Sequence, residues 1–480
     1  MRAKIVASFL DEEHRKWWTL VAVAFGLFMI MLDNTVVNVA LPSIQKDLKV
    51  SVSSLEWVVN AYFLTFAVLM LTGGKLADLY GRRRLFVTGL VIFTASSLAC
   101  GMAANGETLI AARAVQGVGA AMMNPATLSI ITATFPPRQR GMAMGIWVGV
   151  SAVALALGPI TGGLLAEHAD WSWIFFINVP IGIFAIVAAR IVIRESKDTS
   201  AGQRLDLPGL VTSGIALFAL TYALIEANGK GWTSPEILAL FGIAAVAFAA
   251  SVLVELHQRA PMLDLTLFRN RTFTGANLTM LLVAMSMFGV FFFVSLFVQG
   301  ILGYSPVEAG ASFLPMTLCI IFVAPVAGKL SDRLGSRWLM SGGMLLVSVS
   351  LLLFSFLDES SSWWNLFPAL VVGGIGMALA MTPTTSAAMG SVPVDKAGVG
   401  SGVLNTARQV GGSLGIAIMG AILGSYVSVG RLSPEYPSQF VDGFQAALHV
   451  AAGIAFAASI VALVLIRKVA HRPALAAEMG

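Results

Sequence analysis

Two charged side chains stand where charge is expensive. Asp33 lies in MLDNTVVNVALP (31–42), within a largely apolar segment from Trp17 to Leu41, and Arg113 opens RAVQGVGAAMMNP (113–125) in another. An arginine inside a helix bundle costs ~3 kcal/mol on insertion scales unless it faces water or a partner. A carboxyl group is pushed toward its neutral form by burial and toward its ionised form by a nearby guanidinium. A movement that alters hydration or the separation of the two groups therefore switches the acid between binding and releasing a proton. A cationic molecule would compete for the same charge. The same two residues also fit a plainer role, a buried ion pair that only fixes helix packing.

The elements that must position them are membrane helices. The 480 residues are 57% hydrophobic and only 11% charged, against about 25% charged in a soluble domain. Apolar runs long enough for a ~30 Å bilayer core recur from end to end. Read with breakers and charges between them, they give fourteen spans: 17–41, 56–72, 85–104, 107–131, 141–165, 171–193, 207–227, 236–256, 273–299, 307–328, 338–357, 363–388, 399–424 and 443–466. The opening MRAKIVASFLDEE lacks the apolar length and small-residue site of a cleaved signal, so the first span is expected to be retained. Cys100 and Cys319 both fall inside apolar spans and read as small hydrophobes; neither a disulfide nor a metal is expected.

Charge sets the orientation. Basic residues concentrate in alternate loops: GRRR (81–84), PPRQR (136–140), RESKD and Arg204, FRNRT (268–272), SDRLGSR (331–337) and the tail with Arg467, Lys468 and Arg472. Of 30 Lys and Arg, only Lys46, Lys49, Lys230 and Arg431 fall in the opposite loops. The positive-inside rule then puts both termini in the cytoplasm. With that orientation span one runs outward and span four inward, and Asp33 and Arg113 come to similar depth. The net charge of +5 is explained by the same rule, and no nucleic-acid partner is inferred.

An internal repeat divides the chain. GKLADLYGRRRL (74–85) recurs as GKLSDRLGSRWL (328–339), again between two spans. The expected organisation is an N-terminal six-helix bundle (17–194), an inserted two-helix hairpin (207–256) and a C-terminal six-helix bundle (273–468). Parallel halves related by an axis along the membrane normal are one architecture of secondary transporters. Within the repeated loop, Gly74 and Gly81 allow close backbone approach. Asp78 beside Arg82, Arg83 and Arg84 reads as a latch that stabilises one of two bundle arrangements. Asp332, Arg333 and Arg337 form the second copy. The plainer reading is that these arginines enforce topology and Asp78 is solvated.

GGKLADLYGRRR (73–84) resembles the signature of the major facilitator superfamily. ALALGPITGGLL (154–165), with Gly158, Pro159, Gly162 and Gly163, resembles that superfamily's antiporter motif, a helix kink lined with small residues where a helix of the other half approaches closely. Arg113 resembles an arginine associated with proton coupling, and LDNTVVNVALP resembles the first-helix motif of the fourteen-span drug:proton antiporters. The inserted hairpin is that family's extra helix pair, so the resemblance covers essentially the whole chain. It implies an all-α integral membrane protein of the bacterial inner or plasma membrane. Two six-helix bundles would export hydrophobic or cationic drugs against protons by alternating access, with Asp33 as proton carrier. An exporter of one endogenous compound (a lipid, a siderophore or a self-made antibiotic) and a non-transporting sensor on the same fold are the alternatives.

Further polar groups within the spans are candidates to line the cavity: Asn34, Asn38, Asn60, Gln116 and Asn124 in the first half, Gln299, Asn405, Arg408 and Gln409 in the second. Each serves equally well as glue between helices. Glu226 ends the first inserted helix near the outer surface and is expected to be solvated; His449 reads as structural. No phosphate-binding loop, nucleophile triad or metal-ligand spacing occurs, so neither ATP, a cofactor nor enzymatic chemistry is expected. The partners expected are small molecules, protons and the bilayer; nothing in the loops assigns a periplasmic adaptor.

Overall fold

The computed structural model describes residues 12–50, 52–197, 206–258, 263–429 and 433–467. Arg204, Arg431, Lys468, Arg472 and the side chains of Asn38 and Pro159 lie outside the described residues. The helices, named in order, are α1 Glu12–Leu48, α2 Val52–Tyr80, α3 Arg82–Gly101, α4 Gly106–Thr134, α5 Pro137–His168, α6 Asn178–Val192, α7 Leu207–Lys230, α8 Pro235–His257, α9 Arg271–Gly300, α10 Leu314–Leu334, α11 Ser336–Phe354, α12 Trp363–Gly390, α13 Ala397–Tyr426 and α14 Tyr436–Leu465. Short helical pieces, Trp173–Phe176 and Pro306–Ser312, lead into α6 and α10. The first helix runs past both ends of the apolar segment that predicts it, because a helix continues through polar residues once its backbone is paired.

Local signals start the helices where the chain turns. Asn105 caps α4 by accepting from Thr108 N, Asp206 caps α7 through Gly209 N, and Asn270 caps α9 through Thr272 N and Phe273 N. Thirteen spans among the described residues are long and apolar enough to cross a membrane, and α4 is the remaining one of the fourteen-helix set. Its lower apolarity follows from its place. Packed against α1, α2, α3 and α13, it meets protein on most sides and carries Arg113, Gln116 and Asn124 inward.

Packing repeats between the halves. In the first, α2 and α3 pack on α4, α5 and α6 on α1, and α3 on α6; in the second, α10 and α11 pack on α12, α13 and α14 on α9, and α11 on α14. The halves meet along two equivalent seams, α5 on α10 and α2 on α13. The hairpin breaks this symmetry. Helix α7 lies across α2 and α13, covering one seam, while α8 packs chiefly on α7 and leaves Val246, Phe248, Leu253 and Leu256 exposed for lipid.

Candidate functional site

Asp33 is fully buried on α1, and its Oδ2 lies 2.5 Å from an Arg113 guanidinium nitrogen. Its Oδ1 accepts from Gln116 Nε2 at 3.0 Å. Arg113 also donates to Gln116 Oε1 (2.8 Å) and through Nε to the Val58 carbonyl (3.0 Å). Its guanidinium carbon stands 4.3 Å from the centre of the buried Tyr62 ring. Both carboxylate oxygens therefore have donors, and three helices, α1, α2 and α4, hold the network. Gln116 belongs to this site and not to a separate cavity wall. It stands one turn from Arg113, the spacing that puts two side chains on one helix face. Tyr62 has no counterpart among the sequence candidates, since a tyrosine in an apolar span carries no spacing signal.

The glycines of α5 attach to this site. A side chain at Gly158 would strike Thr35, and one at Gly162 would meet Val36, both on α1 beside Asp33. Only Gly163 faces the other half, where a Cβ would lie 2.5 Å from the Val307 side chain. The expectation that these glycines admit a helix of the opposite half is thus not met at Gly158 and Gly162, which face α1 of their own half. Small residues mark close approach without naming the helix that approaches.

At the basic end each half latches onto a helix start of the other. Asp78 pairs with Arg82 at 2.8 Å and accepts the backbone N–H groups of Gly398 and Val399, each at 2.8 Å, at the beginning of α13. A carboxylate there meets unpaired amides and the positive end of the helix dipole. Arg82, itself buried, also donates to the Val394 and Asp395 carbonyls. In the second copy, Asp332 Oδ1 accepts from Gly141 N at 3.1 Å, near the start of α5. Gly81 and Gly335 occupy equivalent turns with φ of +109° and +89°, a region open to glycine. Between the latches backbones touch: a Cβ on Gly74 would strike the Gly398 carbonyl, and one on Gly328 the Gly141 carbonyl.

The other arginines of these loops do different work. Glu195 accepts from the backbone of Arg83 (3.0 Å) and Arg84 (3.1 Å), capping the start of α3, and faces both their side chains. Arg333 and Arg337 are exposed and pair with no carboxylate among the described residues; Arg337 lies over Trp338. The connection after the hairpin is fastened too, by Asp264 to Lys396 at 2.6 Å. Partial burial works against the ionised Asp264 carboxyl, but the Lys396 ammonium and the Thr266 hydroxyl and amide outweigh it and hold the group below its ordinary range.

The remaining candidates scatter. Asn34 and Asn60 are half-buried on α1 and α2, and Asn38 lies on α1. Asn124 is fully buried with neither amide atom hydrogen-bonded. Gln299 is exposed at the end of α9 and bonds to Ser295, so it joins no buried group. Asn405 is buried and returns its amide to Ser401 O of its own helix. Arg408 is buried with its guanidinium carbon 5.4 Å from the centre of the Trp147 ring, and Gln409 beside it is half-buried. Glu226 pairs with Lys230 at 3.6 Å, and His449 bonds Gln445 O and Ser355.

Comparison with known proteins agrees with this architecture. Residues 23–416 and 278–479 match the Major Facilitator Superfamily. The chain is 37% identical over 428 residues to the tetracenomycin C resistance and export protein of Streptomyces glaucescens, covering 89% of this chain and 79% of that one. It is 36% identical over 470 residues to the puromycin resistance protein pur8 of Streptomyces alboniger, covering 96% and 93%. Among solved structures, the human organic anion transporter MFSD10 (TETRAN) superposes with a TM-score of 0.66 over 93% of this chain and 99% of that one; at 14% identity this likeness concerns the fold alone. The chain, a multi-pass membrane protein, belongs to the Major Facilitator Superfamily.

Proposed function

We propose that the chain is a proton-coupled antiporter of the bacterial cell membrane that exports hydrophobic or cationic drugs by alternating access. The relatives named for antibiotic resistance and export support the drug class. The observation that carries the coupling is the fully buried Asp33, whose two carboxylate oxygens face Arg113 and Gln116. Protonation of Asp33 removes the ion pair and one hydrogen-bond acceptor, which frees α1 from α4. Helix α5 lies against α1 at Thr35 and Val36 and against α10 along a seam between the halves, so a shift of α1 reaches that seam. The contacts of Asp78 with Gly398 and of Asp332 with Gly141 join the halves at the basic end, which supports reading this form as closed toward the cytoplasm. Exchange of the Asp33 proton with the outside is then assigned to a form closed at this end, and its release inward to the alternative form.

The test is purified protein in liposomes with an imposed pH gradient, reading ethidium flux and proton flux together. Wild-type protein should exchange the two, and Asp33→Asn should abolish gradient-driven exchange while still inserting and binding dye. Full exchange by Asp33→Asn would remove Asp33 from the role of carrier, and dye flux indifferent to the gradient would remove proton coupling altogether.

A further inference from the structure

The interior of this protein offers an internal comparison. Among the described residues three arginines are at least nine-tenths buried: Arg82, Arg113 and Arg408. Arg82 has Asp78 and two carbonyls, and Arg113 has Asp33, Gln116 and a carbonyl. Arg408 has neither an ion pair nor a hydrogen bond among the described residues; its one neighbour of electrostatic consequence is the face of Trp147. A guanidinium stays charged at any physiological pH and presents five donors in a planar fork. A ring face satisfies none of those donors, so the fork is left for something else.

No protein carboxylate fills the gap. Of the buried acids among the described residues, Asp33 and Asp78 are taken by Arg113 and Arg82, while Asp206 and Glu255 lie at the basic ends of the hairpin helices. Arg408 stands roughly 16 Å into α13 at ~1.5 Å per residue, about halfway across a ~30 Å core. Trp147, on α5, belongs to the other half, so the pair straddles the boundary across which the halves must move. The indole is fixed from behind: Trp147 Nε1 donates to Thr127 Oγ1 of α4 at 2.9 Å. A planar cation beside a fixed aromatic face, at mid-depth between two halves, is suited to a molecule with an acidic group and an aromatic or apolar body.

We infer that Arg408 and Trp147 form a subsite for amphipathic organic anions, the guanidinium taking a carboxylate or sulfonate and the indole taking the apolar body. This rests on the export reading for treating the bound anion as cargo, and goes beyond it by adding amphipathic anions to the hydrophobic or cationic drugs proposed there. It places the anion on the second half, away from Asp33, so proton and anion occupy separate charges of opposite sign. Cargo with an acidic group then needs no competition with the proton for one carboxylate.

Two probes with one aromatic body and opposite charge test this: 1-pyrenebutyrate and 1-pyrenebutylamine, titrated at pH 7 onto the full chain in neutral detergent, with energy transfer from tryptophan to pyrene as readout. Wild-type protein should bind the carboxylate at least tenfold more tightly than the amine. Arg408→Gln should erase that preference, and Arg408→Lys, which keeps the charge, should retain most of it; both variants are first checked for monodispersity and thermal unfolding. Equal binding of the two probes by wild type, or an undiminished preference in folded Arg408→Gln, would overturn the inference. Phosphatidylglycerol in the micelle should leave probe binding unchanged relative to phosphatidylcholine; displacement would give the guanidinium to a lipid headgroup and overturn the cargo assignment. Because binding is measured without a gradient, failure here leaves proton coupling standing, and loss of coupling in liposomes leaves this subsite standing.

Discussion

Asp78 Oδ1 lies 2.8 Å from the backbone nitrogen of Gly398, a residue 320 positions further along the chain. One carboxylate thereby ties the end of α2 to the start of α13, and Asp332 does the equivalent for α10 and α5. Asp78→Ala and Asp332→Ala should each raise the fraction of molecules open at the cytoplasmic end. In the double variant the two free-energy effects should add within about 0.5 kcal/mol, because the sites are distant but bias the same equilibrium. Labelling of a single cysteine placed at Leu71, which lies against Gly402 in the α2–α13 seam, with Cys100 and Cys319 replaced by Ala, measures this; no rise in labelling in either single variant would reduce the motif to a topology signal.

Closure also depends on shape. A Cβ at Gly74 runs into the Gly398 carbonyl and lies 3.2 Å from Gly402 Cα, so Gly74→Ala should hold the α2–α13 seam apart and favour the inward-open form even with Asp78 intact. Gly158→Ala instead pushes on Thr35 beside Asp33 and should impair proton coupling with little change in cytoplasmic labelling. If the two variants gave the same pattern, the division of roles between these glycines would be wrong.

Arg113→Ala leaves the Asp33 carboxylate buried without its cation and frees the Val58 carbonyl. Breaking a buried pair in this way costs about 3–5 kcal/mol, so the variant should unfold at clearly lower temperature in detergent. Asp33→Asn/Arg113→Gln should recover part of that loss without recovering transport. A thermal midpoint for Arg113→Ala equal to wild type would mean that the pair carries no packing energy.

Glu226 shares Lys230 with Glu236 at the turn between α7 and α8, which lie 3.6 and 2.5 Å from the ammonium. Partly exposed and ion-paired at the end of a helix whose partner faces lipid, it makes no direct contact with the Asp33 network among the described residues. Glu226→Gln should transport at near-native rate; loss of coupling as complete as in Asp33→Asn would bring the hairpin into the mechanism.

The Asp264–Lys396 link has a defined pH range. The folded-state carboxyl sits below its ordinary value of 3.8, so its contribution is fully present above that value and fades as pH falls through the lower folded value. Asp264→Asn should therefore destabilise the protein at pH 7, by at most ~1 kcal/mol for so exposed a pair, and the difference from wild type should vanish in acid below the lowered folded value. Thermal unfolding at both pH values checks this, and a difference that persisted in acid would assign the effect to the side chain's hydrogen bonds with Thr266 instead.

What the sequence reveals is governed by what kind of signal each feature leaves. Asp33 and Arg113 are legible because charge inside an apolar span is rare, and orientation from the loops brings them to one depth. The repeat around Asp78 and Asp332 exposes the twofold plan, and the hairpin shows as an unmatched pair of spans. Contacts made through backbone leave no such trace. Nothing in the composition says that Asp78 seeks the amides of Gly398 and Val399, that Glu195 takes the amides of Arg83 and Arg84, or that Gly158 and Gly162 press on α1. Helix starts and glycine faces are common, and only the fold decides which are brought together. Gln299 misleads for the opposite reason, since a polar residue near a span end looks the same whether it faces a cavity or the membrane surface.

The placement of α7 gives the molecule a front and a back. Lipid meets the α5–α10 seam directly, where Leu318, Phe322 and Val326 form an exposed apolar stripe. Across the α2–α13 seam it meets a protein shutter, behind which Val68, Leu69 and Thr72 of α2 face Gly214 and Phe218 of α7 across an apolar cleft. On the proposed alternating-access mechanism, rocking of the two halves would therefore deform the bilayer unequally on its two flanks. A membrane that stiffens or thickens would then resist the motion mainly along the uncovered flank, giving turnover a directional sensitivity to its lipid surroundings.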